Sequence, residues 1–288
     1  MTDISDLNEL RWTAPERFLE AVRDRHRPDP TTGPLLIVAA DHTARGVLAA
    51  GRQSHAMADR GDMLRRLVEA MRPPGVHGFL GTADVVEDLA VLGALEGKYV
   101  FGSMNRGGIA GSTFELDDRM TGYTPEGIAA AALDGGKVLL RLDPDDPATV
   151  RTLEQCGAAV SALAAQARIA MVEPFFSVRT SEGLRNDLSA EAVVRSIHVA
   201  SGLGSTSAYT WLKIPAVDDM RAVAAATTLP LLVLGGEVAA GNEARWADAM
   251  AQPNVRGLVI GRSLLYPEDD DVAGAVGRVV QLMRGVRS

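Results

Sequence analysis

Eight short apolar segments recur along the chain, and they constrain its fold more than any other feature. Each has the length of a β-strand, and the apolar residues are nearly continuous, as expected of parallel strands covered on both faces. The segments are Leu35–Ala40, Val76–Leu80, Tyr99–Ser103, Val138–Leu142, Ile169–Glu173, Thr210–Ile214, Leu231–Leu234 and Gly257–Ile260. The intervals between them are long enough for a helix, so the pattern predicts repeated βα units.

The intervals between these segments carry helix signals. Thr124 followed by Pro125 is typical of a helix start, Ser189 is expected to cap the helix that follows it, and an apolar helix is predicted over 272–283. Eight βα units without a long linker predict an α/β protein whose residues 35–288 form a closed (β/α)8 barrel. A doubly wound open sheet is the competing architecture.

Residues 1–34 stand before the first predicted strand. Thr13 and Glu16 have the spacing of a capping box, ahead of the apolar residues Phe18 and Val22. We expect this segment to be a helical extension that closes the bottom of the barrel.

Charge and cysteine content exclude several classes of function. The 288-residue chain has 29 Lys and Arg against 37 Asp and Glu, a net charge of −8, which argues against nucleic-acid binding. It has no apolar run of the ~18 residues that suggest a membrane-spanning helix, so no membrane association is expected. The single cysteine, Cys156, excludes a disulfide framework and a Cys cluster for zinc or iron–sulfur, and it suits a reducing cytoplasm.

Lysine is rare, with only Lys98, Lys137 and Lys213 among 29 basic residues. In a chain that uses arginine for most positive charges, a lysine inside an apolar strand suggests chemistry that only an amine performs. Lys213 lies in such a strand. Successive side chains of a strand point to opposite faces, so Lys213 points to the barrel axis if its apolar neighbours face the helices. Burial lowers the pKa of an ammonium group and favours the neutral amine that forms a Schiff base with a carbonyl. A buried ion pair with Glu173 or Asp41 is the structural alternative.

Several charged residues fall on strands at or near the end where barrel enzymes place their active sites. Asp41 follows the first strand and Glu173 ends the fifth; two carboxylates in different environments suit proton transfer at carbon and oxygen. Capping of a following helix is the alternative role for each. On the fourth strand, Lys137 and Arg141 share inward parity. Lys137 begins that strand near the bottom of the barrel. It is interpreted either as a catalytic partner or as a lysine whose side chain extends to solvent. Arg141 is a candidate substrate ligand.

Glycines follow the last two predicted strands, where barrels commonly bind phosphate. Gly235 and Gly236 come after the seventh strand, and Gly261 and Arg262 come after the eighth. We predict that backbone N–H groups at these glycines and the guanidinium of Arg262 bind a phosphate, helped by a short helix that starts near Ser263. Simple tight turns are the alternative.

Metal and dinucleotide chemistry is not indicated. The five histidines lack HxH or HExxH spacing, and although His42 and His77 are both expected near the mouth of the barrel, the sequence offers no third ligand. No GxGxxG or Walker motif follows the first strand. We therefore expect catalysis without a metal or a cofactor.

Taken together, these residues resemble the class I aldolases of the DeoC/LacD and archaeal-type fructose-bisphosphate aldolase superfamily, and especially actinobacterial aldolase-like (β/α)8 proteins. The resemblance is carried by Asp41-His42, Glu173-Pro174, Leu212-Lys213-Ile214 and the Gly-Gly and Gly-Arg pairs. It implies that Lys213 forms the Schiff base and that Asp41 assists proton shuttling. It also implies that Glu173 matches the acid/base carboxylate of tagatose-bisphosphate-type aldolases, that Lys137 matches their fourth-strand lysine, and that Gly236 and Arg262 bind phosphate.

Two positions depart from the family pattern. Phe175 stands where the archaeal fructose-bisphosphate aldolases have a tyrosine, and Ile214-Pro215 follow Lys213 where deoxyribose-phosphate aldolases have a Lys-Thr-Ser-type strand. Neither substrate is therefore implied. The segment Ser103–Tyr123 is a long loop after the third strand, and we expect it to shape specificity.

The sequence thus predicts a cytoplasmic class I aldolase that cleaves or forms a C–C bond in a phosphorylated ketose or keto-sugar acid. One alternative is a phosphosugar isomerase or epimerase in which Asp41 and Glu173 are the acid/base pair and Lys213 is an electrostatic neighbour. Another is a barrel that binds a sugar phosphate and regulates a partner without catalysis. The expected partner is a small-molecule sugar phosphate, and a homo-oligomer is expected as usual for such barrels.

Overall fold

A computed structural model describes residues 2–31, 33–105, 108–181, 183–236 and 241–286. The strands are β1 (Leu35–Ala40), β2 (Gly78–Gly81), β3 (Tyr99–Ser103), β4 (Gly135–Leu142), β5 (Ile169–Thr180), β6 (Gly183–Asn186), β7 (Thr210–Ile214), β8 (Leu231–Leu234) and β9 (Val255–Ile260). The α-helices are α1 (Leu7–Thr13), α2 (Glu16–Asp24), α3 (Arg60–Met71), α4 (Ala83–Val91), α5 (Pro125–Ala130), α6 (Ala148–Ala165), α7 (Ala190–Ser201), α8 (Met220–Ala225), α9 (Asn242–Met250), α10 (Arg262–Leu265) and α11 (Val272–Gly285). Short 3-10 helices cover Ile4–Asp6 and Thr43–Arg45.

Eight parallel strands close into a barrel. Around the ring the order is β1, β2, β3, β4, β5, β7, β8 and β9, and β9 pairs with β1. The remaining strand, β6, pairs antiparallel with the outer end of β5 and forms a hairpin beyond the ring. The predicted (β/α)8 barrel is confirmed, and the open-sheet alternative is wrong because the last strand closes on the first.

Strand parity determines which side chains fill the barrel. Every second residue points inward, so Leu35, Ile37 and Ala39 of β1 face the axis. They pack there with residues from six other strands of the ring, namely Leu80, Tyr99, Phe101, Ile169, Met171, Trp211, Leu232 and Val259. The outward residues pack against the helices in a second, larger apolar layer. The same parity carries polar residues into the interior near the carboxyl ends of the strands.

Four strands differ from their predicted bounds. β2 begins at Gly78 rather than Val76 and ends at Gly81, β9 begins at Val255 rather than Gly257, and β4 and β5 are longer than predicted. β4 begins at Gly135 rather than Val138, because Gly135 and Gly136, which lack the apolar side chains of a strand pattern, pair with β3 and β5. Their Cα atoms lie against Ile169 and Met104 so closely that a β-carbon would overlap these residues. β5 continues past Glu173 to Thr180 because its outer half pairs with β6.

The amino-terminal extension is helical, as predicted, but its helices do not close the bottom of the barrel. α2 packs on the outside of α4, where Phe18 is 1% exposed. The expected capping box is wrong, since Thr13 ends α1, where its hydroxyl donates to the carbonyl of Glu9, and Pro15 precedes α2. The segment after α2 reaches the amino ends of the strands, where Arg25 binds Asp134 just before β4.

Other helix signals of the sequence are confirmed. Thr124 accepts a hydrogen bond from the N–H of Gly127 at the start of α5, and Ser189 caps α7 through the N–H of Ala192. Cys156 is fully buried in α6, and burial raises the pKa of its thiol to about 12. In the described part of the chain, no helix has both the length and the apolar character required to cross a membrane.

Candidate active site

Four charged side chains converge inside the carboxyl end of the barrel. Lys213 Nζ lies 2.6 Å from Glu173 Oε1, and Lys137 Nζ forms an ion pair with Glu173 Oε2. Lys137 Nζ also lies 3.4 Å from Asp41 Oδ2. The carboxylate of Glu173 thus bridges two ammonium groups, and the carboxylate of Asp41 lies on the far side of the second one.

Strand register explains why these residues meet. Val172 is paired with Leu212, so the next inward residues of β5 and β7, Glu173 and Lys213, stand side by side. Lys137 of β4 is level with Met171, one inward layer deeper, and its long side chain extends upward to reach Glu173. The predicted inward parity of Lys137 is therefore confirmed, but Lys137 is the third residue of its strand rather than the first.

Burial differs among the four residues. The side chains of Asp41 and Lys137 are 0% exposed, whereas those of Lys213 and Glu173 are 5% and 9% exposed. A molecule that enters the barrel from its mouth therefore meets the Lys213–Glu173 pair first. Two ammonium groups and two carboxylates have no net charge, which offsets much of the cost of removing each charge from water.

Ser103 is a further member of the site, which the sequence pattern does not predict. Its hydroxyl donates a hydrogen bond of 3.1 Å to Asp41 Oδ2 and is buried with it. The available signal was the inward parity that Ser103 shares with Phe101 at the carboxyl end of β3. Ser103 and Lys137 therefore contact the same carboxylate oxygen of Asp41.

The two glycine turns lie at the carboxyl ends of β8 and β9. Gly236 is exposed and has a φ of +70°, a conformation that favours glycine, with open space around the position of a β-carbon. Gly261 lies against the carbonyl oxygen of Ala39 so closely that a β-carbon would overlap it. Arg262 begins the short helix α10, as expected. Glu237, which follows the first turn, lies outside the described residues.

Arg141, the predicted substrate ligand of the fourth strand, contacts the long segment after β3. Its Nε and Nη2 donate to the two carboxylate oxygens of Asp118 at 2.7 and 2.5 Å, and Nη2 also donates to the carbonyl of Glu115. Asp118 and Glu115 belong to the long segment after β3. Through these contacts Arg141 anchors that segment at the mouth of the barrel.

His42 and His77, the two histidines expected near the mouth, lie at opposite ends of the barrel. His42 follows Asp41 at the mouth, and its Nδ1 lies 3.9 Å from Asp41 Oδ1. His77 precedes β2 at the opposite end, where its Nδ1 accepts the N–H of Leu36, so its expected place near the mouth is wrong. Burial, and then the charge of Lys98, lower the pKa of His77. Among the residues that the structure describes, no three His, Cys, Asp or Glu side chains are grouped as metal ligands.

Solved structures share this architecture. The crystal structure of Cgl0159 from Corynebacterium glutamicum is 44% identical in sequence, covers 98% of this chain and 96% of its own, and has a TM-score of 0.95. A Schiff-base-forming fructose-1,6-bisphosphate aldolase is 15% identical, with 92% and 99% covered and a TM-score of 0.64. An archaeal fructose-1,6-bisphosphate aldolase with its catalytic lysine bound to a carbinolamine intermediate is also 15% identical, with 93% and 98% covered and a TM-score of 0.64. At this identity the two aldolases share the fold with this chain.

Sequence comparison identifies the family. No curated protein matches the chain. The profile of one family, described as Cgl0159-like, matches residues 33–280, which is nearly the whole barrel. The chain therefore belongs to the Cgl0159-like family.

Proposed function

We propose that the protein is a class I aldolase that acts on a phosphorylated ketose or keto-sugar acid. The observation that carries the proposal is the pair formed by Lys213 Nζ and Glu173 Oε1 at 2.6 Å, partly open to the mouth of a closed barrel. An amine beside a carboxylate that accepts and returns its proton is the arrangement that imine formation requires. The aldolases of the same fold include one described as Schiff-base forming.

The first step makes the nucleophile. Lys213 transfers a proton to Glu173, and the neutral amine attacks the substrate ketone to give a carbinolamine. Glu173 then protonates the carbinolamine hydroxyl, which leaves as water. An ammonium group and a ketone are thereby converted to a protonated imine and water, so the charge of the site is the same before and after this step.

The second step breaks the carbon–carbon bond. A carboxylate removes the proton of the hydroxyl group two carbons from the imine carbon, and the aldehyde leaves as the electron pair moves to the imine nitrogen. We assign this role to Glu173, because it contacts Lys213 directly and retains exposed surface. Asp41 is fully buried against Lys137 and Ser103, so we assign it to hold Lys137 against the other oxygen of Glu173.

The third element of the proposal is recognition of phosphate. Gly235, Gly236, Gly261 and Arg262 stand after β8 and β9, the two strands that follow β7 around the ring. Backbone N–H groups at these turns and the Arg262 guanidinium are suited to an anion. The cytoplasmic location and the homo-oligomeric state stay predictions.

Borohydride trapping tests the proposal. The purified protein is incubated with dihydroxyacetone phosphate and other ketose phosphates, reduced with borohydride and analysed by peptide mass spectrometry. We expect the mass of the ketone fragment on Lys213 in the wild type and in a K98R control, since Lys98 lies at the opposite end of the barrel and donates to the carbonyl of Val76. K213R is expected to show no adduct.

Each other outcome overturns the assignment in a different way. An adduct on Lys137 would make that residue the Schiff-base lysine. Turnover of a ketose phosphate without an adduct would favour an isomerase or epimerase that uses Asp41 and Glu173. Retained ligand binding without turnover or adduct would favour a barrel that only binds a sugar phosphate.

A further inference from the structure

The chain between β3 and α5 leaves the barrel and returns to the same point. At its return, the N–H groups of Thr121 and Gly122 donate to the carbonyl of Met104 at 3.0 and 2.8 Å, and Tyr123 donates to Ser103. Residues 108–118, which we name the β3 loop, lie between these ends. Because the segment begins and ends beside Ser103, the β3 loop is held at the mouth of the barrel at both ends.

Three side chains at the mouth of the barrel hold the β3 loop in place. Arg141 binds Asp118 with two hydrogen bonds, and Arg45 lies 3.3 Å from Glu115 and donates to the carbonyl of Gly108. Asn105 donates to the carbonyl of Asp118 at 2.9 Å and bonds both the N–H and the carbonyl of Leu139 in β4. The loop is thus tied to the carboxyl ends of β3 and β4 and to the segment after β1.

The burial of these anchors indicates a defined conformation. Arg141 is 3% and Asp118 1% exposed. A buried ion pair contributes little net stability, because desolvation offsets the attraction, but its two-pronged geometry selects one arrangement of the groups that carry it. Gly108 also packs here, since a β-carbon would overlap the Glu115 carbonyl and lie 2.7 Å from the Arg141 guanidinium.

The position of the β3 loop around the ring relates it to the substrate. In the ring order, β3 and β4 stand diametrically opposite β8 and β9, and Lys213 lies on β7. Arg141 is two residues beyond Leu139 on the inward side of β4, beside Phe175, so its pair with Asp118 stands at the mouth above the charged cluster. If phosphate binds after β8 and β9, the carbons remote from it extend towards the β3 loop.

We propose that the β3 loop, held by the Arg141–Asp118 pair, forms the wall of the site that contacts the half of the substrate remote from the phosphate. This wall determines how long that half of the substrate can be. Arg141 is on this basis a positioning residue, since it acts through the loop rather than on the reacting atoms. The proposal rests on the proposed aldolase function.

Trapping with two ketose phosphates of different length tests the role of the loop. Dihydroxyacetone phosphate ends one carbon beyond its ketone, whereas fructose 1-phosphate continues for three carbons more. Cleavage of the longer imine leaves the three-carbon fragment on the lysine, so the two ketoses are incubated separately, and every Lys213 adduct that forms from fructose 1-phosphate is counted as long adduct. We expect R141Q and D118N to trap the short ketone at Lys213 as well as the wild type does. We also expect the ratio of long to short adduct to change by about tenfold, because a displaced wall misplaces only the longer substrate.

Matched variants separate positioning from folding. R179Q removes an arginine whose exposed ion pair with Asp146 lies on the outer part of β5, and its adduct ratio should equal that of the wild type. Where a single variant leaves a buried charge unpaired and fails to fold, the double variant R141Q/D118N keeps the pair neutral and is used instead. R141K, which keeps the charge but loses the planar fork, should give an intermediate ratio.

The outcomes separate this inference from the function on which it rests. An unchanged ratio of long to short adduct in R141Q, D118N and the double variant would overturn the wall, while the short adduct at Lys213 would still support the aldolase. Absence of any Lys213 adduct in the wild type would instead overturn the proposed function itself. A ratio that changes equally in R179Q would assign the effect to general loosening of the mouth.

Discussion

The ammonium group of Lys137 and the carboxylate of Asp41 lie 3.4 Å apart with both side chains fully buried. The pair stands behind Glu173, the group to which we assign proton transfer. Its electrostatic effect on Glu173 is strong there, because neither charge is screened by water. The state of this pair is therefore expected to influence the reaction although neither residue is open to the mouth.

The substitution D41N tests that influence. It removes one of two negative charges that balance two ammonium groups, so the free energy of unfolding is expected to fall by about 3 kcal/mol. The turnover number should also fall, because Lys137 is then held by Glu173 alone. Urea unfolding and steady-state rates measure the two effects. Unchanged values for both would contradict the role of Asp41, and D24N, at an exposed ion pair with Arg23 on α2, serves as the control.

Replacement of Gly236 tests the phosphate turn. G236A places a β-carbon in open space on a residue with a φ of +70°, so the cost is one of backbone conformation, about 1 kcal/mol. We expect a higher KM for a phosphorylated ketone and unchanged trapping of an unphosphorylated one. G93A is a matched control, since Gly93 has a φ of +72° and equally open surroundings after α4. An equal rise in KM in G93A would refute a specific role for the turn.

His77 gives a pH-dependent contribution to stability. Burial and the charge of Lys98 lower its pKa in the folded state below the ordinary value of 6.5. The unfolded chain therefore binds a proton first as the pH falls, and stability is lost as the pH drops from 6.5 through the folded pKa. H77N keeps an acceptor for the Leu36 N–H, and its unfolding free energy should depend less on pH between 7 and about 5. Parallel pH curves for the wild type and H77N would contradict this assignment.

Cys156 is expected to be chemically inert in the folded protein. Its thiol is fully buried, and its pKa is raised to about 12, so the reactive thiolate is scarce at pH 8. Iodoacetamide should leave the native protein unmodified, as followed by intact mass, and should add one carbamidomethyl group after denaturation in urea. Rapid labelling under native conditions would show that α6 opens readily.

The fold and much of the site follow from strand patterns alone. Because side chains alternate between the two faces of a strand, Lys213 and Glu173 both point to the barrel axis. The closed ring brings their strands together, so this alternation is enough to place the two residues. The pattern places Lys137 too near the start of its strand, because Gly135 and Gly136 have no side chains that indicate a strand although they pair with β3.

Other features depend on contacts that sequence spacing does not reveal. Arg141 binds Asp118, which lies in an irregular loop after β3. The strand pattern around Arg141 does not indicate this partner. His77 precedes β2, which begins at Gly78, and therefore lies at the amino end of the barrel. It stands near that end in the predicted strand Val76–Leu80 as well, so its expected place near the mouth does not follow even from the predicted bounds.

The neutrality of the four buried charges has a consequence for sequence variation in the Cgl0159-like family. Loss of one member alone would strand an uncompensated charge in the barrel, so viable changes must come in pairs of opposite sign. Natural variants that exchange Lys137 for an apolar residue are therefore expected to have lost the acidic residue at position 41 as well, and the two positions should covary across the family.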